Sequence, residues 1–388
     1  MFKMSWFRRI RSLWREFNNL KAVLSLPAND RRLIVYSEDV SSFSMVEGYL
    51  NELMEVHGSP VVYVTSAPRD PLLERHHPKM SVYHVNKLVP TLIPRCDSKV
   101  FLTTMPDLGK LHVPRPEKKT YCLYVFHSLN SIHEVYRLGA FDNYDGFFCA
   151  GPHHSKELAT HFEHYHLDPP DLHEVGYYKL DRVYQAHSTY DKKVKGRQTI
   201  LLAPSWGKGN LLESHGVEIV ERLLPLGKRI VIRPHPCFFH PIYPEGRRIV
   251  EQIAQRFDAL PNVEIERSID SEDSFHEADV MVSDFSGAAY EYALGTLRPV
   301  VFIDVARKTL NPEWKELGLP TFEDKMRFEV GSVLSPKDVA RVGREVDALM
   351  QQKAAYRERL EKLRQSAIYN FGRSAEVGAR IINEFLEK

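Results

Sequence analysis

Short runs of β-branched and aromatic residues alternate with amphipathic helical segments along most of this chain. This alternation constrains the fold more than any other feature, because it is the pattern of parallel sheets covered by helices on both faces. We therefore predict an α/β protein. The predicted strands are 33–36, 61–64, 82–85, 100–103, 121–126 and 146–149 in the first half, and 199–203, 229–232, 263–265, 280–282 and 300–303 in the second.

A charged segment without strand character, residues 190–198, separates the two series of strands. The chain has 388 residues, more than the roughly 250–300 at which a single core stops growing. We predict two Rossmann-like domains, 27–190 and 191–370. A helix over 1–26 precedes them, and a helix over 371–388 is expected to pack back on the first domain. Ligands in open parallel sheets bind at the carboxyl ends of the strands, so chemistry is expected in the cleft between the domains.

Composition excludes several classes of function. Lysine and arginine number 52 and aspartate and glutamate 51, so a net charge of +1 argues against general binding of nucleic acid. Cys96, Cys122, Cys149 and Cys237 lack the paired spacing of a zinc site or a disulfide framework and indicate a reducing compartment. The sequence shows no run of about 20 apolar residues and no secretory signal. We therefore predict a cytoplasmic protein.

The segment 1–26 has the pattern of a membrane-surface helix. Large apolar residues recur at helical spacing on one face, and arginines occupy the other. Such a helix suits the headgroup region of an anionic leaflet, which predicts peripheral attachment to the inner face of the cell membrane. Packing on the protein itself, or a dimer contact, is the alternative. The apolar residues are Phe2, Trp6, Phe7, Ile10, Leu13, Trp14, Phe17 and Leu20, and the arginines are Arg8, Arg11 and Arg15, with Arg9 at the border.

The turn after strand 199–203 has the composition of a phosphate site. It contains Ser205, Trp206, Gly207 and Lys208, which can offer backbone N–H groups and a cation to phosphate oxygens. Surface turns are often rich in glycine and serine, so this signal is weak by itself.

The strand 229–232 ends in Arg233, followed by His235 between two prolines. The prolines restrict the backbone on both sides, so the imidazole is held at a fixed place on the strand end. This favours a positioned ligand contact. The alternative is a histidine that is satisfied within a rigid turn.

A third segment runs from a strand directly into a helix. Ser283, Asp284, Ser286 and Gly287 follow strand 280–282 and open the next helix, where free N–H groups and the helix dipole favour an anion. These residues are predicted to bind phosphate. Capping of the helix by Asp284 or Ser286 is the simpler interpretation, and it is compatible with phosphate binding.

Histidines follow two strands of the first half. His127 comes after strand 121–126, with His133 a few residues later, and His153 follows strand 146–149. An imidazole at the cleft can take a proton near neutral pH, so His127 is the predicted general base, with His133 and His153 as supporting residues. A histidine that caps a helix or packs at the strand end is the alternative. The spacing of the histidines predicts no metal site.

These segments together resemble the CDP-glycerol glycerophosphotransferase family. The resemblance is carried by residues 233–236, 283–287 and 298–302, with a further likeness at 203–206, and it extends over about 120–310. It implies a GT-B fold in which these segments line the pocket for the donor pyrophosphate and the alditol phosphate. The histidine at the end of strand 121–126 is implied to act as the base.

The sequence departs from the family in two places. His127 is followed by Ser128 and Leu129, whereas the family has glycine and a small hydroxyl residue, so the chain resembles a variant branch. Residues 176–181 resemble the family's Gly-x-Pro-Arg-x-Asp segment without its proline and arginine. The first departure bears on which acceptor is used.

The resemblance and the motifs together predict direct transfer of glycerol phosphate or a related alditol phosphate. CDP-glycerol or CDP-ribitol is the expected donor, a lipid-linked glycan or polymer the acceptor, and CMP the leaving group. His127 deprotonates the acceptor, while Arg233 and His235 stabilise charge on the phosphoryl group. No cofactor is predicted beyond a divalent cation arriving with the nucleotide. The alternatives are a GT-B glycosyltransferase using a nucleotide sugar, a nucleotide-sugar 2-epimerase, and a membrane-bound scaffold without catalysis.

Overall fold

A computed structural model describes residues 2–117, 119–191, 196–267 and 272–388, with the side chains of 2–10 left out. The chain forms two parallel β-sheets, each flanked by helices. This is the two-domain α/β architecture that the sequence predicts. Part of the predicted boundary segment 190–198 lies outside the described residues.

The first sheet has seven strands in the order β3-β2-β1-β4-β5-β6-β7. All pairs are parallel, and Val35 of the central strand lies opposite Tyr63 on one side and Leu102 on the other. The order reverses beside β1, which is the doubly wound arrangement with its ligand crevice at the carboxyl ends. The strands are β1 (Leu33–Ser37), β2 (Val61–Thr65), β3 (Met80–His84), β4 (Val100–Thr103), β5 (Tyr121–Val125), β6 (Gly146–Cys149) and β7 (Asp171–Glu174).

The second sheet has six strands in the order β10-β9-β8-β11-β12-β13, again all parallel. Its order reverses beside β8, so the segments after β8 and β11 lie next to each other at the carboxyl ends. The strands are β8 (Thr199–Leu202), β9 (Arg229–Ile232), β10 (Val263–Ile265), β11 (Val280–Ser283), β12 (Val300–Ile303) and β13 (Gly331–Leu334).

Helices cover both faces of the sheets and bury their apolar sides against them. The α-helices are α1 (Phe2–Ser25), α2 (Phe43–Glu55), α3 (Val89–Leu92), α4 (Ile132–Val135), α5 (Pro152–His164), α6 (Tyr178–Thr189), α7 (Leu211–Leu223), α8 (Gly246–Phe257), α9 (Asp273–Glu277), α10 (Gly287–Thr296), α11 (Phe322–Val330), α12 (Val342–Gln351), α13 (Lys353–Ala367) and α14 (Ser374–Glu387).

Two edge strands, β7 and β13, are absent from the sequence prediction. The residues of β7 read Asp-Leu-His-Glu, and those of β13 read Gly-Ser-Val-Leu, so neither has the apolar run of a strand buried on both faces. Strand β3, the opposite edge of the first sheet, begins two residues before the predicted 82–85. Edge strands are partly solvated, and their sequences are correspondingly less apolar.

Two helices join the domains. Helix α6 follows the first sheet but packs on α10 of the second domain, with Leu180 and Val183 in the same apolar cluster as Leu294. The last helix, α14, packs on α2 of the first domain and places Ile382 in its core. The chain therefore crosses between the domains twice.

Helix α1 is fixed to the first domain by its second half. Leu20 and Val23 are buried there, and the carboxylate of Glu16 accepts the backbone N–H groups of Asn86 and Lys87 at 3.1 and 2.8 Å. Towards the amino end, three apolar residues of the predicted face are exposed: Leu13 (39%), Trp14 (64%) and Phe17 (45%). The predicted face also includes residues 2–10, whose side chains lie outside the description. In the described part of the chain, no helix combines the length and apolarity needed to cross a bilayer.

Candidate active site

The loop after β5 and the start of α10 meet between the two domains. A Cβ atom on Gly287 would lie 2.5 Å from Oδ1 of Asn130 and 2.6 Å from Oγ of Ser128, so only glycine allows this approach. The amide of Asn130 also donates to the carbonyl of Phe285 at 3.4 Å. The segment that begins with His127 and the helix start predicted to bind phosphate therefore face the same cleft.

His127 is held with one ring nitrogen prepared to accept a proton. Its Nδ1 lies 3.2 Å from the carbonyl oxygen of Thr104 and 3.3 Å from the hydroxyl of Tyr124. The carbonyl can only accept, so Nδ1 carries the hydrogen. The lone pair is then on Nε2, where the hydroxyl of Tyr136 donates at 3.1 Å. Burial lowers the pKa of His127, and the positive charge of Lys179 acts in the same direction. The imidazole is therefore neutral near pH 7, as a base must be.

His235 has the opposite tautomer. Its Nδ1 accepts the backbone N–H of Cys237 at 3.1 Å, so the neutral ring carries its hydrogen on Nε2. Burial lowers the pKa of His235 to about 3, together with the positive charges of Lys179 and Lys308. His235 is therefore a neutral hydrogen-bond donor at physiological pH and not a cation.

Trp206, in the turn after β8, packs beside His235. The ring centroids of the two residues are 6.1 Å apart and the planes are 30° from parallel. On the indole ring lies the ammonium group of Lys308, 3.5 Å from the centroid, a cation–π contact. Lys308 follows β12 and was not among the predicted site residues, because only its position in space brings it to the turn.

Lys179 supplies a positive charge in the cleft itself. It lies in the first turn of α6, and its Nζ is 2.7 Å from Oε2 of Glu291 on α10. Glu291 is buried and also accepts from the hydroxyl of Tyr177 at 2.8 Å. The charge of Lys179 lowers the pKa of both His127 and His235. Lys179 stands where the family segment resembled by residues 176–181 has its arginine.

Arg233 is held at the end of β9 by groups of its own domain. Its guanidinium donates to Glu266 at 3.1 Å and to the hydroxyl of Ser274 at 3.0 Å, and it lies over the ring of Phe275. Its positive charge contributes to the lowered pKa of His235. Part of the hydrogen-bonding capacity of Arg233 is therefore used within its own domain. Its positive charge still acts electrostatically on His235.

Three predicted phosphate ligands bind one another or the backbone. Asp284 is fully buried and accepts from both the N–H (2.7 Å) and the hydroxyl (2.9 Å) of Ser205, and from the N–H of Leu211 at 3.0 Å. Ser283 is also fully buried and donates its hydroxyl to the carbonyl of Ala203 at 2.6 Å. In this structure Asp284, Ser205 and Ser283 fix the turn after β8 and have no side-chain hydrogen left for a phosphate.

The remaining predicted ligands lie at the start of α10 and in the turn after β8. Ser286 precedes α10, and its side chain makes no capping hydrogen bond, in contrast to the simple helix-cap interpretation. Gly207 has a φ of 101°, and no atom lies within 4 Å of the place a Cβ would take, so this part of the turn faces open space. Lys208 is exposed beside it. Ser286, Gly287, Gly207 and Lys208 are thus the residues whose geometry suits an anion.

The two further histidines support the loop that carries His127. His153 lies 2.9 Å from the carbonyl of Leu129 and stacks on Phe322 of the second domain at 4.1 Å. His133 is buried, with its Nδ1 3.0 Å from Glu157. These contacts belong to the packing of the loop after β5, and a part for His133 and His153 in catalysis stays a prediction.

A buried carboxylate from the second domain holds the same loop. Glu323 of α11 accepts the side-chain amide of Asn130 at 2.7 Å and the N–H of Ser131 at 3.1 Å. Glu157 of the first domain binds the hydroxyl of Ser131 at 2.8 Å. Burial raises the pKa of Glu323 to about 7, and the negative charge of Glu157 contributes. Sequence reasoning missed both residues, because an isolated glutamate in a helix gives no signal of such a contact.

Within the described residues, no group of three or more histidine, cysteine, aspartate or glutamate side chains could hold a metal ion. The cysteines Cys96, Cys122 and Cys149 are buried and Cys237 is half-buried, and all are free thiols. The polar groups that border the cleft are therefore imidazoles, ammonium groups, hydroxyls and backbone amides.

Comparison with known proteins shows the fold. Neither a family model nor a curated protein matches the sequence. Solved structures match over nearly the whole chain. A variant of the wall teichoic acid polymerase TagF has 13% identity and a TM-score of 0.60, covering 98% of this chain and 97% of that chain.

Two further structures have the same architecture. A TagF variant soaked with CDPG has 13% identity and a TM-score of 0.60, covering 100% of this chain and 99% of that chain. A UDP-N-acetylglucosamine 2-epimerase has 12% identity and a TM-score of 0.55, with coverages of 92% and 95%. Two facing doubly wound domains with a cleft between them define a GT-B fold, as the sequence predicts. At these identities the similarity concerns the fold.

Proposed function

We propose that this protein transfers glycerol phosphate, or a related alditol phosphate, from a CDP-alditol to a hydroxyl group of a membrane-linked glycan or polymer, with release of CMP. The observation that carries the proposal is the set of groups on the two domains. One domain has a neutral imidazole with a basic Nε2, and the other has an imidazole N–H and a helix start, with the Lys179–Glu291 pair joining the two. These are the groups that in-line phosphoryl transfer needs, since it depends on positioning and charge stabilisation.

The donor pyrophosphate is expected to bind across the second domain. Backbone N–H groups of Gly207 and Gly287 and the hydroxyl of Ser286 offer hydrogen bonds to its oxygens, and Lys179 and Lys308 offer positive charge. His235 donates its Nε2 hydrogen to an oxygen that gains charge as CMP leaves. Arg233 contributes through its field. A divalent cation arriving with the nucleotide is compatible with this arrangement.

The transfer step is a direct displacement at phosphorus. The acceptor hydroxyl loses its proton to His127 as its oxygen attacks, and the bond from phosphorus to the CMP oxygen breaks. Since no side chain has to become covalently attached, no nucleophilic residue is required. The fold shared with TagF, including a variant soaked with CDPG, supports a nucleotide-linked donor.

Removing each imidazole separately tests the proposal. His127→Ala and His235→Ala are expected to abolish CMP release from CDP-glycerol or CDP-ribitol, measured with a lipid extract as acceptor, while the melting temperature stays within a few degrees of the wild type. His57→Ala serves as the control, because His57 is exposed on the first domain and is not among the residues of the site. Normal turnover by both the His127 and His235 variants would refute the assignment.

A GT-B glycosyltransferase that uses a nucleotide sugar is the alternative, and the same helix start would serve it. The fold shared with a sugar-nucleotide epimerase favours testing this class. Thermal-shift measurements with CDP-glycerol, CDP-ribitol, UDP-sugars and GDP-sugars discriminate between the two. If only a UDP- or GDP-sugar stabilises the protein, the transferred group is a sugar and not an alditol phosphate. If no nucleotide stabilises it, a scaffold without catalysis is favoured.

A membrane-linked acceptor is proposed because of α1. Its second half is fixed to the first domain, so the exposed Trp14 and Phe17, with Arg11 and Arg15 nearby, form a stable surface suited to anionic lipid headgroups. Deletion of 1–26 would remove the buried Leu20 and Val23 and is a poor test. The double variant Trp14→Ser, Phe17→Ser is expected to lose flotation with anionic liposomes, whereas Val56→Ser, an exposed apolar control, keeps it. Equal flotation of both variants would argue against this proposal.

A further inference from the structure

The hydroxyl of Tyr136 covers the only nitrogen of His127 that can accept a proton. Nδ1 is committed to the carbonyl of Thr104, and the oxygen of Tyr136 lies 3.1 Å from Nε2, to which it donates. The hydroxyl group of an incoming acceptor therefore finds Nε2 already occupied. Either Tyr136 moves away, or it takes part in the proton transfer.

The surroundings of Tyr136 hold it in this place. Its ring packs edge-on against Phe141 with centroids 5.0 Å apart, and against the imidazole of His127 at 5.9 Å. On the other side of the imidazole ring, the hydroxyl of Tyr124 lies 3.3 Å from Nδ1. The side chain is only partly buried, and it lines a small cavity together with Asn311 of the second domain.

We propose that Tyr136 is a further catalytic residue that relays the acceptor proton to His127, an inference that rests on the proposed phosphotransfer. The acceptor O–H gives its proton to the phenol oxygen of Tyr136, and the phenol proton moves to Nε2 of His127. The acceptor oxygen forms its bond to phosphorus, and the oxygen of CMP leaves with the electron pair of the broken bond. The resulting imidazolium of His127 returns its proton to solvent after the product departs.

The two proton movements have to occur together. Burial raises the pKa of Tyr136, which disfavours a tyrosinate intermediate. A phenol that gains one proton as it loses another never carries the charge. The same geometry explains how a half-buried His127 can serve an acceptor that does not contact it.

Removal of the phenol oxygen is the first test. Tyr136→Phe is expected to lower kcat for CMP release by about 10²–10⁴-fold, the usual contribution of acid–base catalysis, with KM for CDP-glycerol within about twofold of the wild type. Tyr165→Phe is the matched control, because it also loses a hydroxyl contact to a side chain, 3.4 Å from Glu313. An unchanged kcat in Tyr136→Phe, or a change confined to KM, would overturn the relay.

A second test separates relay from simple orientation of the ring. Replacement of Tyr136 by 3,5-difluorotyrosine keeps the hydrogen bond but makes the phenol more acidic. The alkaline limb of the pH–rate profile is expected to move to lower pH, because a phenolate has no proton to pass on. A limb that stays in place would show that the hydroxyl only orients His127.

Titration of His127 by NMR, without substrate, distinguishes failure of this inference from failure of the proposed function. Tyr136→Phe removes a hydrogen bond to the neutral ring, so the pKa of His127 is expected to rise. An unshifted titration would overturn the Tyr136 contact itself. Wild-type protein that turns over neither CDP-glycerol nor CDP-ribitol would instead overturn the proposed function.

Discussion

Nζ of Lys179 lies 2.7 Å from Oε2 of Glu291, so that an ammonium group at the end of the first domain is paired with a buried carboxylate of the second. The pair is one helical turn from Gly287, where α10 begins. The positive charge of Lys179 lowers the pKa of both imidazoles of the cleft. We therefore predict that stability and donor binding both depend on these two residues, and variants can separate the two effects.

Lys179→Met is expected to destabilise the protein by about 3–5 kcal/mol, because it leaves the carboxylate of Glu291 buried without its partner. The double variant Lys179→Met, Glu291→Gln is expected to recover most of this loss in urea unfolding, but to bind CDP-glycerol no better than the single variant by calorimetry. Arg359→Met, which breaks a surface pair with Glu329, is the control. If the double variant bound CDP-glycerol with wild-type affinity, Lys179 would not be part of the donor site.

The lowered pKa of His235 leads us to expect a loss of stability in acid. Its pKa in the folded protein, about 3, is below the ordinary value of 6.5. Between these values the unfolded chain binds a proton that the folded protein does not, so the free energy of unfolding falls as the pH decreases from 6.5. Between pH 7 and pH 5, the free energy of unfolding of His235→Asn is expected to fall by about 2 kcal/mol less than that of the wild type. An equal loss in both proteins, or the same effect from the exposed-site control His57→Asn, would contradict the assignment.

The raised pKa of Glu323 leads us to expect the opposite dependence of stability on pH, at higher pH. Its pKa in the folded protein, about 7, is above the ordinary value of 4.5, so between these values the folded protein holds a proton that the unfolded chain releases. The free energy of unfolding therefore falls as the pH rises. Relative to Glu323→Gln, the wild type is expected to lose about 2–3 kcal/mol between pH 5 and pH 8 in urea titrations. Parallel stability curves would mean that the carboxyl group is hydrated and that the two domains separate readily.

Gly287→Ala is expected to loosen the contact between the domains. The added Cβ would lie within 2.6 Å of both Ser128 and Asn130, two short side chains that cannot move far, at a cost of about 1–3 kcal/mol. Amide hydrogen exchange over residues 128–132 is expected to accelerate, and turnover to decrease, since this loop carries His127. Unchanged exchange in the variant would show that the loop tolerates the extra methyl group.

Much of the architecture could be predicted from the sequence, because strands buried on both faces are apolar throughout. The central strands β1, β4 and β5 are found within a residue of the predicted limits. The edge strands β7 and β13 have mixed sequences, since one side of each is open to solvent, and no local pattern distinguishes them from loops.

The site was predictable to the extent that carboxyl ends of parallel strands meet in space. This rule predicts His127, His235 and Gly287 at one cleft, and Gly287 does contact the loop that follows His127. Orientation is not encoded in this way: Ser283 has the right position along the chain, but its hydroxyl points to the neighbouring strand. Partners from the other domain, such as Glu323, depend on how the domains face each other and leave no trace in local sequence.

The return of α14 to the first domain has a consequence for biosynthesis. Residues 374–387 complete the core around Tyr49 and Leu53 of α2, which are synthesised more than three hundred residues earlier. During translation this apolar face of the first domain stays exposed until the ribosome has synthesised the second domain and α14. We expect a nascent chain that ends before α14 to engage chaperones and to resist refolding, although its first sheet is complete in sequence.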